Sequence, residues 1–411
     1  MTIIELYDQV SIENIAGALL CRPDRVILVG DKSNRLDNVL NLYRDILAKH
    51  DIRAEVIGRT ASKNNLGNIV NVLSGIVESY DDCIIDLTGG EDLSLVAAGI
   101  IMNRYKGRVQ CHRFNLKNDS LIDCDADGNV CQSKSFDISI EDNIRAYGGE
   151  IVTDPQREFY SYPWDFNSYF LRDIDAMWDI CRKNPRLWNA QIGTLGTICQ
   201  AHESQDSLRV SFDKAQATET CRQYGTRFVC IPWIFSELQS HGLISSLVMQ
   251  DTVSFRFKNT QVKQALTVAG QALELIVGKT MMSLKDEDGA PLYHDVKVGV
   301  VIDWDMAEEQ QPCRTINEID VLAMKGSIPV FISCKNGMFD VNELYKLNTV
   351  AGRFGNKYAK KVLVSTEMDK MGDHAEVLRA RMDDMDIRSV ENVDAISDDE
   401  LVRKLRSLWI N

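Results

Sequence analysis

The amino-terminal quarter of the chain alternates three times between a short apolar stretch and an amphipathic one. The apolar stretches cover residues 26–30, 53–57 and 83–87, and the amphipathic ones cover residues 36–48, 66–77 and 93–105. The short apolar stretches predict strands, and the amphipathic ones predict helices. Strands that alternate with helices pair in parallel through right-handed crossovers. We therefore predict a parallel α/β sheet within residues 1–150.

Small polar loops follow two strands of this predicted sheet. Residues 30–34 read GDKSN, and residues 88–92 read TGGED. Ligands bind beyond the carboxyl ends of parallel strands, where paired glycines let a ligand approach the backbone. The alternative is ordinary turn chemistry, since glycines are common after strands. Neither loop is a dinucleotide or P-loop fingerprint, and the GKT at 278–280 lacks the upstream glycine because residue 273 is leucine.

A hairpin in the carboxyl-terminal third carries a second candidate site. Residues 317–337 read NEIDVLAMKGSIPVFISCKNG, with Asp320 at the start of one apolar strand and Lys335 at the tip of the next. A hairpin would bring these two residues onto neighbouring strands. A carboxylate there can hold Mg²⁺ or Mn²⁺, and a lysine beside it can stabilise charge on a phosphate. The pattern predicts a metal-dependent phosphodiesterase acting on nucleic acid or nucleotide, and an ordinary cross-strand ion pair is the alternative.

The elements around the hairpin follow a fixed order. Residues 262–281 predict a helix that contains Glu274, and residues 296–302 predict a strand. After the hairpin, residues 341–354 predict a helix and residues 361–365 a strand. The predicted order is therefore helix, three strands, helix, strand.

With these elements in place, residues 270–365 resemble the PD-(D/E)xK restriction-endonuclease-like nucleases, and more closely the nuclease half of the CRISPR-associated CARF-domain effectors. The resemblance implies that Glu274, Asp320 and Lys335 form the catalytic site. It also implies that Mg²⁺ or Mn²⁺ is held by Asp320, the backbone carbonyl of Cys334 and Glu274.

This sequence departs from the nuclease pattern at one catalytic position. The residue two before the lysine is Ser333, where the wider superfamily usually has a metal-binding glutamate. A serine hydroxyl is a weak ligand, so the metal must depend on Asp320, a backbone carbonyl, water, and Glu274 or Glu318. We expect reduced activity or a changed metal preference.

The order of domains extends the resemblance over nearly the whole chain. A Rossmann-like CARF domain (1–150) whose third strand ends in TGG is followed by a winged-helix-like linker (151–260) and a restriction-endonuclease-like α/β nuclease domain (261–411). The resemblance implies a homodimer about a two-fold axis that binds a cyclic oligoadenylate, first of all cyclic tetra-adenylate. The implied ligand-binding residues are Lys32, Ser33, Asn34, Arg59, Thr60, Thr88, Gly89 and Gly90.

The middle of the chain predicts helices and one hairpin. Residues 160–201 are rich in aromatic residues, with Trp164, Trp178 and Trp188 as expected core residues. Residues 231–241 predict a short helix, and residues 243–258 a hairpin that buries alternate side chains. A helix followed by a two-stranded wing indicates a winged helix. Because the helix carries Glu237 and no lysine or arginine, we interpret it as a structural linker.

Composition limits the possible partners. With 411 residues, the chain can bury two or three cores, and its net charge of −14 excludes a wholly basic surface. It still allows a local basic groove beside the hairpin, with a solvated helix face as the alternative. No stretch approaches the ~20 apolar residues that span a bilayer, and no basic leader opens the sequence, so we expect a cytoplasmic protein without a membrane partner. The groove candidates are Lys346, Arg353, Lys357, Lys360 and Lys361.

Two functions follow from these observations. The first is a ligand-gated, metal-dependent endonuclease that cuts single-stranded DNA or RNA, or nicks duplex DNA, in type III CRISPR antiviral defence. The alternative is a ligand-responsive winged-helix DNA-binding regulator with an inactive nuclease fold. Ser333 favours the alternative, and the joint presence of Glu274, Asp320 and Lys335 favours the nuclease.

Overall fold

A computed structural model describes residues 1–8, 11–31, 36–116, 120–123, 130–133, 136–201, 206–304 and 315–410. The strands of these residues form three sheets, of seven, three and six strands. Within the described residues, none of the helices has both the length and the apolar character that crossing a membrane requires.

The amino-terminal domain is built on the seven-stranded sheet, in the order β3-β2-β1-β4-β5-β6-β7. The first five strands in this order are parallel, and β6 and β7 add to the edge as antiparallel strands. The elements are β1 (Thr2–Leu6), α1 (Ser11–Cys21), β2 (Arg25–Gly30), α2 (Leu36–Lys49), β3 (Glu55–Thr60), α3 (Leu66–Ser79), β4 (Cys83–Asp86), α4 (Asp92–Arg104), β5 (Val109–Asn115), β6 (Ser120–Asp123) and β7 (Val130–Ser133).

The predicted alternation of strand and helix is confirmed from β2 to α4. The sequence prediction omitted β1, which lies in the middle of the five parallel strands, because buried Glu5 interrupts its apolar pattern. The TGG loop consequently follows the fourth strand of the chain, and the prediction that it follows the third was wrong.

A short segment connects this domain to the carboxyl-terminal sheet. It consists of α5 (Ile140–Ala146) and β8 (Glu150–Ile151). On one side Arg145 binds Asp45 of α2 at 3.0 Å, and on the other the Asn143 side chain donates to the carbonyl of Phe354 at 2.9 Å. The buried side chain of Ile144 belongs to a hydrophobic cluster that contains residues from both domains. The two domains therefore share one continuous core.

The middle region has the predicted winged-helix-like arrangement with one additional strand. The predicted hairpin is present, with Val253, Phe255 and Phe257 buried, and β9 pairs with its second strand. Trp178 and Trp188 are fully buried core residues, as predicted. The elements are α6 (Ser168–Cys181), α7 (Pro185–Ala201), β9 (Arg209–Asp213), α8 (Lys214–Gln223), α9 (Pro232–Ser240), β10 (Ile244–Met249) and β11 (Thr252–Phe257).

The carboxyl-terminal domain is built on the six-stranded sheet, in the order β16-β15-β14-β13-β12-β8. Strands β12 to β14 form an antiparallel meander, and β14 to β16 are parallel. The elements are α10 (Thr260–Ala265), α11 (Gln271–Ser283), β12 (Asp295–Asp303), β13 (Ile316–Lys325), β14 (Ile328–Lys335), α12 (Val341–Phe354), β15 (Lys360–Ser365), α13 (Asp373–Asp384), β16 (Ile387–Val390) and α14 (Asp398–Ile410).

The single helix predicted over residues 262–281 was wrong, because the chain forms two helices there. Gly270 has a φ of +93°, in the left-handed region that ends a right-handed helix. The apolar pattern continues across the break because α10 and α11 both bury side chains, among them Val262 and Leu273.

The GKT sequence in α11 has a packing role. A Cβ atom on Gly278 would lie 2.2 Å from Cγ2 of Val298 on β12, so only glycine fits between helix and strand. The next residue, Lys279, binds Asp175 and the carbonyl of Leu171 on α6. These contacts explain the sequence without a phosphate-binding loop.

We expect Gly278→Ala to lower the free energy of unfolding by about 1 to 3 kcal/mol, because the added methyl group overpacks a buried contact. Gly193→Ala is the matched control, since Gly193 lies inside α7 and has open space around its Cβ position. That variant should gain about 0.4 to 1 kcal/mol. Urea unfolding of both variants checks this, and a Gly278→Ala protein as stable as the wild type would contradict it.

Candidate active site

The β13–β14 hairpin fixes the position of Asp320. The strands turn at Gly326, which has a φ of +59°, and their register pairs Val321 with Ile332. One carboxylate oxygen of Asp320, Oδ2, accepts hydrogen bonds from the backbone N–H of Cys334 at 2.6 Å and from the Ser333 hydroxyl at 3.1 Å.

Asp320 lies further into its strand than the sequence suggested. It is the fifth residue of β13, which begins at Ile316, so the prediction that it starts the strand was wrong. Glu318 consequently lies on the same strand, two residues before Asp320, and also lines the site.

Lys335 is a charged donor at the end of β14. Its Nζ lies 3.8 Å from Asp320 Oδ2 and 2.7 Å from Glu343 Oε2 on α12. Burial lowers the pKa of Lys335, but the Asp320 charge and the hydrogen bond to Glu343 outweigh it and raise the pKa above its ordinary value. Lys335 is therefore cationic at neutral pH and suits electrostatic stabilisation better than proton abstraction.

Three carboxyl groups at the site have pKa values above their ordinary values. Burial and the neighbouring charges of Asp320 and Glu318 raise the pKa of Glu274 well above its ordinary value of 4.5. Burial also raises the pKa of Asp320, although Lys335 and the Cys334 N–H act in the opposite direction. Desolvation and the Asp320 charge raise the pKa of Glu318. A bound cation would relieve this repulsion.

Glu318, Asp320 and Lys335 line a cavity of about 290 Å³, whereas Glu274 is not among the described residues that line it. In the part of the chain that the structure describes, no three His, Cys, Asp or Glu side chains are arranged to hold a metal ion. A metal here would therefore need backbone carbonyl and water ligands in addition to Asp320. The cavity is lined by Ile316, Asn317, Glu318, Ile319, Asp320, Ile332, Ser333, Lys335, Glu343, Lys346, Leu347 and Val350.

Glu343 is the site residue that sequence reasoning missed. It lies in the first turn of α12 and binds both Lys335 and Lys346, the latter at 2.6 Å. The sequence shows it only as the single acidic residue in a basic stretch. Its spacing from Lys335 gives no signal, because the contact depends on how α12 packs across β14.

The predicted basic groove does not form beside the site. Lys360 pairs with Val330, five residues before Lys335 on β14, and its Nζ lies 5.0 Å from the centre of the Trp409 ring. Lys361 donates to the Asn348 side chain at 2.9 Å. Of the five predicted groove residues, all of which are described, only Lys346 lines the cavity.

Those predicted ligand residues of the amino-terminal domain that the structure describes follow or end its parallel strands β3 and β4. Lys32, Ser33 and Asn34 fall outside the described residues. Arg59 and Thr60 are exposed at the end of β3.

The TGG loop is held by the side chains of buried Asp86 and half-buried Asp8. The N–H of Thr88 donates to Asp86 Oδ1 at 2.7 Å, and the N–H of Gly90 donates to Asp8 Oδ2 at 3.0 Å. A Cβ atom on Gly89 would lie 1.8 Å from Oδ1 of Asn14. Gly89 therefore allows the loop to pack onto α1, and whether the loop also binds a ligand stays a prediction.

Two solved structures share the fold along this whole chain. Protein VC1899 from Vibrio cholerae is 17% identical with a TM-score of 0.70, and the match covers 100% of this chain and 97% of that one. Can2 from Sulfobacillus thermosulfidooxidans, solved in complex with cyclic tetra-adenylate, is 16% identical with a TM-score of 0.67, covering 100% and 99%. This chain has the fold of Can2.

The fold shared with Can2 confirms the α/β fold class predicted from the sequence. No protein-family model and no curated protein matches the sequence.

We expect Glu274→Gln to stabilise the metal-free protein at pH 7. Because the folded-state pKa of Glu274 is raised, the neutral carboxyl favours folding, and this contribution is lost as the pH rises through the raised pKa. Wild type and variant should therefore be equally stable below about pH 4.5 and diverge above it. Urea unfolding in EDTA from pH 4 to 8 measures the difference, with exposed Glu287→Gln as the control. A difference that does not change with pH would contradict the account.

Proposed function

We propose that this protein is a metal-dependent endonuclease activated by a cyclic oligoadenylate, with cyclic tetra-adenylate as the first candidate. Its substrate would be single-stranded DNA or RNA, or duplex DNA that it nicks. One observation carries the proposal: Asp320 is fixed by the Cys334 N–H at 2.6 Å with the cationic Lys335 3.8 Å away, in a cavity at the end of a sheet. Similarity in fold to Can2, which binds cyclic tetra-adenylate, supports the choice of activator.

Each site residue has a role that its surroundings support. Asp320, the backbone carbonyl of Cys334 and Glu274 would hold Mg²⁺ or Mn²⁺, and the surplus of carboxylates with raised pKa values fits a cation. When bound, such an ion supplies positive charge to the phosphate and makes water more acidic. Lys335 would hold the phosphate and stabilise its charge in the transition state. Ser333 donates to Asp320 and so orients this carboxylate.

The amino-terminal domain would bind the activator at the carboxyl ends of β2, β3 and β4. Arg59 is an exposed cation at the end of β3 and suits the phosphates of a cyclic oligonucleotide. The TGG loop connects β4 to α4, and β2 and β1 lie between β3 and β4 in the sheet. Lys32, Ser33 and Asn34 complete the proposed ligand set.

A homodimer would place two such loops beside one ligand. Leu95 and Val96 of α4 are 40% and 51% exposed although both are apolar, and a Cβ atom on Gly99 would meet open space. This apolar strip on α4 begins directly after the TGG loop. We propose that a second copy of the chain covers it.

The regulator alternative is less well supported. Winged-helix proteins read DNA with a helix that carries basic or polar contacts to the groove. Here α9 has no lysine or arginine, and its Glu237 is bound to Lys183 at 2.9 Å. These contacts favour a structural role for the middle region.

A cleavage assay tests the proposal directly. Plasmid DNA, single-stranded DNA and RNA are incubated with Mn²⁺, with and without cyclic tetra-adenylate, and we expect cleavage only with the activator. Lys335→Ala should lower the rate by at least about 100-fold, because it removes the charge that stabilises the transition state. Exposed Lys285→Ala is the matched control and should cut like the wild type.

Activator binding is measured separately by calorimetry. Arg59→Ala should weaken binding of cyclic tetra-adenylate, whereas Lys335→Ala should bind it normally. Equal cleavage with and without the activator would remove the regulatory part of the proposal. Cleavage by Lys335→Ala at the wild-type rate would show that the active site lies elsewhere.

A further inference from the structure

The residue after Lys335 is held by the middle region of the chain. The side-chain amide of Asn336 donates to Oδ1 of Asn189 on α7 at 2.8 Å, and the Asn189 amide donates to the backbone carbonyl of Asn336. Asn336 also donates to the thiol of Cys181, the last residue of α6, at 3.3 Å. Helices α6 and α7 of the middle region therefore both bind the residue that directly follows the end of β14.

A buried threonine hydrogen-bonds both to Asn336 and to the backbone of Lys335. Thr366, which is fully buried after β15, donates its hydroxyl to Oδ1 of Asn336 at 3.0 Å. The same hydroxyl accepts from the N–H of Gly337 at 2.8 Å, and the N–H of Thr366 donates to the carbonyl of Lys335 at 3.0 Å. Both polar atoms of the Asn336 side chain are thus bonded, and the backbone carbonyl of Lys335 is held by the N–H of Thr366.

A second contact from α7 reinforces the first. Arg186, one turn before Asn189, binds Glu367 at 2.7 Å. Glu367 is 5% exposed and has a φ of +52°, a left-handed conformation that a residue with a side chain adopts only where its surroundings enforce it. The ends of β14 and β15 are therefore held as one unit against α7.

These contacts determine where the Lys335 amine lies relative to Asp320. Neither Asn189 nor Asn336 lines the cavity as the structure describes it, so they act on the site through the backbone of Lys335. A displacement of about 1 Å at a catalytic group can cost about 100-fold in rate. We propose that Asn189 and Asn336 are positioning residues through which the middle region sets the catalytic lysine. This inference rests on the proposed nuclease function.

The test uses substitutions that keep side-chain volume. Asn189→Asp replaces the donor to the Asn336 carbonyl with a carboxylate oxygen, and Asn336→Asp loses the donor to Asn189 but keeps the acceptor for Thr366. Thr194→Val is the matched control, because Thr194 is a buried α7 residue that bonds Arg227 and Val229 within the middle region. Steady-state cleavage with activator and Mn²⁺ gives kcat and KM, and hydrogen exchange follows the amides of Gly337 and Thr366.

Both aspartate variants should lose kcat by about 10- to 100-fold with unchanged KM. The amides of Gly337 and Thr366 should exchange faster in them, while Thr194→Val should change neither quantity. A rise in KM with unchanged kcat would overturn the inference, because it would indicate direct substrate contact. Equal losses in all three variants would overturn it as well, because they would indicate general destabilisation.

The exchange measurement separates this inference from the proposed function. A wild-type protein that cuts nothing would refute the nuclease proposal. In that case, unchanged exchange of Gly337 and Thr366 in Asn189→Asp would also refute the inferred contact, and faster exchange would support it.

Discussion

The antiparallel pairing of β13 with β14 is the constraint on which the candidate site depends. This pairing places the carboxylate of Asp320 on β13 2.6 Å from the backbone nitrogen of Cys334 on β14, whose N–H donates a hydrogen bond to it. The hydrogen bond fixes the orientation of the carboxylate. Lys335 then follows on the same strand, and α12 packs across it with Glu343. A one-residue shift in the register of β13 would turn the Asp320 side chain to the other face of the sheet and break its contacts with Ser333, Cys334 and Lys335.

The electrostatics of the cavity follow from this packing. Glu274 lies on α11 and Glu318 on β13. Burial and the charges of Asp320 and Glu318 raise the pKa of Glu274, and burial and the Asp320 charge raise that of Glu318. Lys335 offsets part of that charge but is shared with Glu343. Glu274, Asp320 and Glu318 are therefore harder to ionise than ordinary carboxyls. A cation bound here would favour the ionised carboxylates and so stabilise the folded protein.

Local patterns in the sequence predict the strands and helices, while contacts between distant elements escape them. Asp320 and Lys335 were predictable because a hairpin with a short turn joins them. Glu343 and Asn189 were not, because their contacts with the site arise from packing of α12 and α7. The position of a residue along its strand also decides whether it reaches the site. Lys360 is close in sequence to α12, but β15 pairs in parallel with β14, so Lys360 lies beside Val330, near the end of β14 opposite to Lys335.

The most direct test of this account is calorimetric titration of the protein with Mn²⁺ in buffers of different ionisation enthalpy. We predict that the wild type binds Mn²⁺ and releases protons, because carboxyls with raised pKa values must ionise to accept it. Asp320→Asn should abolish binding, whereas Ser333→Ala should only weaken it, since that variant loses a hydrogen bond to the carboxylate and keeps the carboxylate itself. Binding by Asp320→Asn with wild-type affinity would contradict the assignment of this cavity as the metal-dependent site.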